Sequence, residues 1–492
     1  MPRIFASLLI FLMVFAFFSC RGETKPDAAG SNDTAETFTG EEDPAGQSYA
    51  DTLPAADFEG YTFRIIAHHT STWINFPEEE QTGEPVNDAM LRRNKALEER
   101  FNIKIENIAF DSSGPVLDNV KKSAASDDHA YDMAIASMTG TIAPLASSGM
   151  LRDLNSINHL RLDQNWWCKS MYENLQVGGR IFYTTGPISG FFFYAPVAIC
   201  YNKQLAQDMG IGDIYRLVLN NEWTADKFFE LIQDKSKDLD GDGAMTKTDF
   251  YALACDGVTG QAAYIAFGGR QVTADGAGYF KLNFEDEKTQ NLINKAAPVF
   301  GDISTAYSSK TKGYTRVPGE PYPENTIFME NRALFIITPM GNVAIDFRAM
   351  ESDFGILPLP KLDSSQPEYY SYGNPHGPIG IAVPIYCENA ERTGLILETM
   401  AVLSYDLVRP AMYDNMLQQK IARDEDSQKM LDIIYENTYF DLNTIHNFGG
   451  SSDLLQNCMG GINENFASSY EKIKARAEKA LGDLIGAYTA LD

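Results

Sequence analysis

The sequence predicts an α/β fold, on three observations. Strand-like and helix-like stretches alternate along the chain, the order that lays helices against a sheet. At 492 residues there is enough chain for two or three domains, or two large interleaved lobes, at roughly 150 residues per domain. The hydrophobic fraction of 44% and the charged fraction of 22% are those of a soluble globular protein.

The alternation begins at "GYTFRIIAH", where Phe63, Ile65 and Ile66 mark a first strand. "VNDAMLRRNKALEERF" follows as a helix, with Val86, Met90, Leu97 and Phe101 on one face and Asn87 or Asp88 as its cap. "NIKIENIAF" is a second strand. "YDMAIASMTGTIAPLASSGML" then gives an apolar strand, a Gly/Thr/Ser turn and a helix start. In open α/β sheets, ligands collect at loops beyond the carboxyl ends of strands, and residues 136–140 form such a loop. Further on, "PVAICYNKQLAQDMGI" is a strand entering a helix, and "WTADKFFELIQDKSK" is a helix capped by Thr224. "FYALAC" is a strand, and "RALFIITPMGNVAIDF" is strand, loop and helix. "FGILPLPK" is extended, because its prolines forbid helix, and "GIAVPI" is another strand. Near the C-terminus Phe466, Tyr470, Ile473, Ala477, Leu481, Leu484 and Tyr488 step by three or four, a helix face.

The N-terminus differs from the rest. "MPRIFASLLIFLMVFAFFSC" carries Arg3 and then an apolar run from Ile4 to Phe18, about 15 residues and short for a membrane span. It reads as a secretion signal over 1–20. Ser19-Cys20 resembles the bacterial lipobox, which makes Cys20 a lipid-bearing residue, although Phe17 stands where Leu or Val is usual. An ordinary signal cut elsewhere is the alternative. Residues 21–55 are rich in Gly, Ala, Asp, Glu, Thr and Pro and poor in large aliphatics, the composition of a flexible tether. The formal charge of −27 argues against nucleic acid, whose affinity rests on Lys and Arg displacing counterions, and against anionic lipid surfaces. Beyond Cys20, Cys168, Cys200, Cys255, Cys387 and Cys458 are widely spaced, with no CxxC or metal pattern. Mostly buried thiols are expected.

One short motif stands out. "DLDGDGAMTKTD" (238–249) matches a twelve-residue calcium loop. Asp238, Asp240 and Asp242 take positions 1, 3 and 5, and Gly243 takes the sharp turn at 6. Ala244 offers a carbonyl at 7, Thr246 sits at 9, and Asp249 closes at 12. Ca²⁺ wants six to eight oxygens, and this run supplies most of them. Closure by Asp, one methylene shorter than the usual Glu, weakens bidentate capture. The competing reading is an acidic turn. A helix precedes the loop and a strand follows it, and there is no second loop to pair with, so a structural clamp is expected instead of a switch. Catalytic signatures are missing: no GxSxG, no HExxH and no Walker P-loop occurs. His68 and His69 are neighbours after a strand and point to opposite faces, a poor chelating pair. No enzyme activity is expected.

The chain resembles the extracellular solute-binding proteins of ABC importers, in particular the large sugar-binding class (family 1, maltose-binding-protein-like). The matching stretches are "NKALEERFNIKIE", "YDMAIASMTGTIAPLASSGMLRDLN", "AICYNKQLAQDMGI", "EWTADKFFELIQDKSKDLDGDG", "ALFIITPMGN" and "FGILPLPK", in the family's order over roughly 58–410. The resemblance implies a two-lobed periplasmic-binding-protein-like fold (type II), each lobe a sheet flanked by helices, hinged by crossing strands. Crossings fall near Val197–Tyr201, Ile356–Lys361 and Tyr405–Pro410. Lobe one is then 58–197 with 362–407, and lobe two 198–357 with 410–492. Closure on ligand is a hinge motion. The implied function is capture of a small solute, a carbohydrate, for the transmembrane subunits of an ABC permease. The implied protein is a monomer, extracytoplasmic and held to the membrane by its lipid alone. Sugars are met by flat aromatics and by hydrogen-bonding edges. The expected cleft loops offer Trp73, Met138, Thr139, Phe192, Tyr194, Met340, Asn342, Tyr370, Tyr372 and His376. An exported carbohydrate-active or peptide-cleaving enzyme, and a sensor subunit presenting ligand to a membrane kinase, are the alternatives.

Overall fold

The computed structural model describes residues 49–68, 76–77, 79–308, 321–377, 379–416, 425–462 and 465–490. The signal, Cys20, residues 21–48 of the tether and Trp73 lie outside the described residues. Residues 49–55, at the end of the expected tether, join the folded body. Tyr49 stacks on Trp166 with ring centroids 4.5 Å apart, and Ala50 and Leu53 are buried in the lobe-one core.

Strand β1 (Tyr61–His68) leads to the helix Pro85–Phe101, β2 (Ile103–Phe110), the helix Ser113–Ser126 and β3 (Met133–Ala136). β1 pairs in parallel with both β2 and β3. Every residue of β3 is buried, as expected for a strand covered by helices on both faces. The helix Pro85–Phe101 buries Val86, Met90, Leu97 and Phe101, the expected face. It starts before Asn87. Pro85 needs no hydrogen-bond acceptor in a first turn, and the Glu84 carboxylate caps the helix by accepting from Asn87 N at 2.6 Å. Asp88 instead accepts from the backbone of Thr82 and Gly83.

The chain crosses at β4 (Val197–Asn202), buried throughout. The second lobe adds β5 (Tyr251–Cys255), a hairpin of β6 (Val272–Ala274) and β7 (Phe280–Leu282), β8 (Ala306–Tyr307), β9 (Ala333–Pro339) and β10 (Phe354–Leu357). Its main sheet runs β10-β4-β9-β5-β8. β4 is antiparallel to both neighbours, while β9, β5 and β8 are parallel. Thr224 caps the helix Ala225–Ile232 as expected. The chain then returns through β11 (Ser371–Tyr372) and β12 (Gly380–Ala382), which closes the lobe-one sheet as β12-β3-β1-β2. The third crossing, at Ser404–Met416, is helical and begins with a π-helical stretch, Ser404–Val408. Arg93 ties the start of the third crossing to the lobe-one segment at Ile188. Its Nη1, deep in the interior, donates to Ile188 O and to Ser404 Oγ, both at 3.1 Å.

After residue 425 the chain alternates between cores. Met430, Leu455, Cys458, Met459, Phe466 and Tyr470 pack with lobe two. Phe440, Leu442, Ile445, Phe448, Ala477, Leu481, Leu484 and Tyr488 pack with lobe one. The last helix, Phe466–Thr489, therefore serves both. β13 (Thr438–Tyr439) pairs with β11. The five cysteines 168, 200, 255, 387 and 458 are free and buried, as expected. Trp167 and Trp223 are core residues, and both Trp166 and Trp167 donate their indole N–H to the buried Glu398.

Asp441 lies in a buried polar network. Its carboxylate accepts from Gln271 N at 2.9 Å and Asn443 N at 2.8 Å. Burial raises its pKa from an ordinary 3.8 to about 6, although those N–H groups and Arg270 pull the other way. The folded state therefore binds the proton more tightly than the unfolded state. This contribution to stability is complete below the unfolded pKa and is lost as pH rises through about 6. In thermal melts from pH 4 to pH 7, the advantage of the native protein over Asp441→Asn is expected to shrink as pH rises. A constant or growing difference contradicts the assignment.

Candidate ligand-binding cleft

The parallel strands of each lobe end in loops that carry hydrogen-bonding side chains, where open α/β sheets gather ligands. In lobe one, β1 ends at His68, and β2 is followed by Ser113. His68 Nδ1 and Ser113 Oγ are 3.3 Å apart. β3 runs into the π-helical turn Met138–Ile142, capped by Ser137, whose Oγ accepts from Gly140 N at 3.1 Å. Ser137 Oγ lies 3.4 Å from Thr139 Oγ1, which in turn lies 3.2 Å from His376 Nδ1. In lobe two, Asp256 follows β5 and Asn342 follows β9. Asn342 Nδ2 donates to Asp256 Oδ2 at 3.2 Å and to Thr338 Oγ1 at 2.9 Å.

Two connecting segments join these rims. Gly190–Tyr194 is a 3-10 turn, so Phe191, Phe192 and Phe193 do not alternate as an extended run would. Phe193 is buried, while Phe191 and Phe192 are half-buried. Tyr194 is half-buried, with its Cβ against Gly341. Burial pushes its hydroxyl up to about 12, the charge of Glu84 adds to this, and Arg348 opposes it. The second segment carries Asn374, whose N donates to Ala195 O at 2.9 Å, and His376, whose N donates to Asn374 Oδ1 at 3.1 Å.

Of the residues expected to meet ligand, Thr139 and His376 are brought together on one rim, with Asn342 on the other and Phe192 and Tyr194 on the connecting turn. Met138, Met340 and Tyr372 are fully buried and serve the cores. Met138 and Met340 follow strands buried almost throughout, and Tyr372 lies in a short buried one. Tyr370 packs against Arg270, whose guanidinium sits 4.3 Å from its ring centroid and 3.9 Å from that of Tyr439. The sequence offers no motif for Ser113, Ser137 or Asp256, and it offers His68 only as half of a poor chelating pair. All four stand at or just beyond strand ends, and that signal could have found them.

Away from the cleft, the loop at 238–249 brings Asp238, Asp240 and Asp242 together, with one oxygen of each within 4.8 Å of the others. This exposed cluster could coordinate a metal ion. Asp238 accepts from Gly241 N and Gly243 N, which hold its pKa low. The N–H of Asp242 pulls Asp240 down, yet desolvation and the charges of Asp242 and Asp249 leave it above its ordinary value. A cation would relieve that repulsion. Asp249 faces inward and accepts from Leu239 N at 2.9 Å and Thr246 N at 2.7 Å. In this arrangement it braces the loop backbone, and its oxygens are not among the three grouped within 4.8 Å.

Gly380 tests the placement of Met138 in the core. A Cβ there would meet Ile142 Cγ1 at 2.8 Å and Met138 Cγ at 3.0 Å. Gly380→Ala is expected to cost about 1–3 kcal/mol in urea unfolding, the range for overpacking a filled core. A neutral substitution would leave Met138 free to move.

No protein-family model matches the chain, and no curated protein matches it. Solved structures do. The galacto-N-biose/lacto-N-biose I-binding protein of an ABC transporter from Bifidobacterium longum, in complex with lacto-N-biose, is 13% identical, covering 88% of this chain and 99% of that one, with a TM-score of 0.55. UgpB from Mycobacterium tuberculosis, in complex with glycerophosphocholine, is 14% identical, covering 87% and 99%, with a TM-score of 0.53. An ABC transporter solute-binding protein from Thermotoga lettingae, bound with α-D-tagatose, is 15% identical, covering 86% and 100%, with a TM-score of 0.50. Identities this low speak to architecture alone, and the architecture they show is the two-lobed α/β periplasmic-binding-protein-like fold of type II.

Proposed function

We propose that this protein is a lipid-anchored, extracytoplasmic solute-binding protein that captures a small neutral solute, a sugar or oligosaccharide, and delivers it to an ABC permease. The observation that carries this reading is the pair of rims at the strand ends. Thr139 and His376 on one side, and Asn342 with Asp256 on the other, offer hydroxyl, imidazole, amide and carboxylate groups suited to sugar hydroxyls. Phe192 and Tyr194 between them supply flat faces. The fold supports it: two of the similar structures are described with lacto-N-biose and tagatose. The signal-like segment at 1–20, with Cys20 as the lipid-bearing residue, supports export and anchoring. In this reading the protein works as a monomer and does no chemistry on its cargo.

A panel of neutral mono- and oligosaccharides, screened by thermal shift and calorimetry, should give a saturable ligand that is recovered unchanged. Thr139→Val and Asn342→Ala should each weaken it at least about tenfold, the loss of about one well-placed hydrogen bond, with melting unchanged in the first and lowered slightly in the second, which also loses its bonds to Asp256 and Thr338. Turnover of the ligand, or full affinity in both variants, would sink the proposal.

The ion of the 238–249 loop is in this reading Ca²⁺, held by Asp238, Asp240 and Asp242 with the Ala244 carbonyl and Thr246, and the loop's role is structural. A chelator should lower the melting temperature, Asp240→Ala should reproduce the loss, and solute affinity should change little. Melting that ignores the chelator would contradict it.

A further inference from the structure

We propose that the C-terminal arm, residues 438–489, clamps the two lobes together, so that the protein does not open by the wide hinge rotation that its three crossings alone would allow. The inference does not depend on which solute binds.

A hinge motion concentrates its change at a few residues and leaves each packed lobe intact. Here the arm belongs to both lobes in turn. Leu442 and Ile445 pack in lobe one, Leu455 and Met459 in lobe two, Tyr470 in lobe two and Leu484 in lobe one. The chain therefore passes between the lobes again near residues 437–440, 448–455 and 470–477. The last passage lies inside one continuous helix of 24 residues, roughly 36 Å long at 1.5 Å per residue. A lobe rotation must bend that helix or strip one half of it from its core.

The arm is seated closely. A Cβ on Gly260 of the lobe-two helix Thr259–Ala266 would stand 2.2 Å from Gln456 O, where the arm lies against lobe two, and one on Gly449 would stand 2.6 Å from Ala477 N, where two stretches of the arm meet beside the lobe-one core. Backbones touching at this range cannot slide past one another without separating, because packed interiors are not continuously deformable. A buried polar network spans the same junction. Asn443 Nδ2 donates to Gln271 Oε1 at 2.8 Å and to Ser451 Oγ at 2.9 Å. Gln271 Nε2 donates to Gln261 Oε1, and Gln261 Nε2 donates to Ser452 O at 2.8 Å. Opening would have to break these bonds together, because they form one connected network. On the lobe-one side, Tyr183 Oη meets His446 Nε2 at 2.9 Å and Arg180 Nη1 donates to Tyr488 O at 2.6 Å. The β6–β7 hairpin adds a direct link, Gly178 N to Gly278 O at 2.8 Å.

Hydrogen–deuterium exchange on the full chain, without ligand, tests this. Amides of 477–488 should be protected within about a hundredfold of those in β4 and β9 and should lose protection together with them as denaturant is added. Exchange more than about a hundredfold faster, with the strands still protected, would show an arm that peels away and would overturn the clamp. Leu484→Ala offers a second measurement, since it weakens the arm's seat on lobe one. Where the arm of this variant loses protection, small-angle scattering should show a radius of gyration larger by at least about 1 Å, as separated lobes would give. An unchanged radius with a detached arm would equally overturn the proposal. If the variant does not fold, exchange on the native chain still decides.

Discussion

The backbone at Ala195–Pro196 is the point on which the arrangement of the site depends. Ala195 O accepts from Asn374 N, and Pro196 O accepts from Met340 N at 2.8 Å. Pro196 also bridges to Gly373. Buried carbonyls must find donors, and here two consecutive ones fasten three chain segments at one place. The first is the crossing into β4, the second is the return toward lobe one, and the third is the loop after β9. Tyr435 Oη adds a fourth segment through Phe193 O at 2.7 Å. Tyr194, Asn342 and His376 each lie within a few residues of this junction. Their relative placement is therefore set by main-chain hydrogen bonds, which are insensitive to the identity of exposed side chains nearby. Gly373 is needed for the same reason. A Cβ there would stand 2.6 Å from the Phe440 ring, so the arm also presses against this point.

The loop at 238–249 acts at the opposite end of lobe two. Lys237 and Phe250 bridge into the start of β5, and Arg332, just before β9, donates Nη1 to Lys247 O and to Asp249 O. Asp256 and Asn342 stand at the other ends of those strands. Five residues of β5 span roughly 17 Å, and the strands between are buried and paired on both sides. A cation there would firm the lobe's base, with little leverage on the geometry of the rim.

Much of the fold was legible in the sequence because local patterns and global packing agree. The apolar runs of β3, β5 and β9, the face of Val86, Met90, Leu97 and Phe101, and the Thr224 cap all follow from periodicity and capping chemistry. The cap of the first long helix was displaced because Pro85 at its first turn outweighs the capping preference of Asn87. Site residues were harder. Strand-end position picks out Thr139 and Asn342, and place after the second crossing picks out His376, but strand-end position also picks out Met138 and Met340, whose side chains are buried in the cores. Which way a residue faces after a strand depends on the turn that follows. Nothing in "ASMTG" announces a π-helical turn, and nothing in "GFFFY" announces a 3-10 turn. The meeting of Thr139 with His376, 237 residues apart, is a tertiary fact. The double allegiance of the last helix is another: its apolar stripe is continuous, and a stripe does not say how many cores it covers.

Native mass spectrometry with a glycan that raises the melting temperature decides whether the rims hold a sugar without altering it. A 1:1 non-covalent adduct of unaltered glycan mass is expected, lost when Thr139 and Asn342 are replaced together. An adduct retained by the double variant, or a glycan returned with a changed mass, would contradict it.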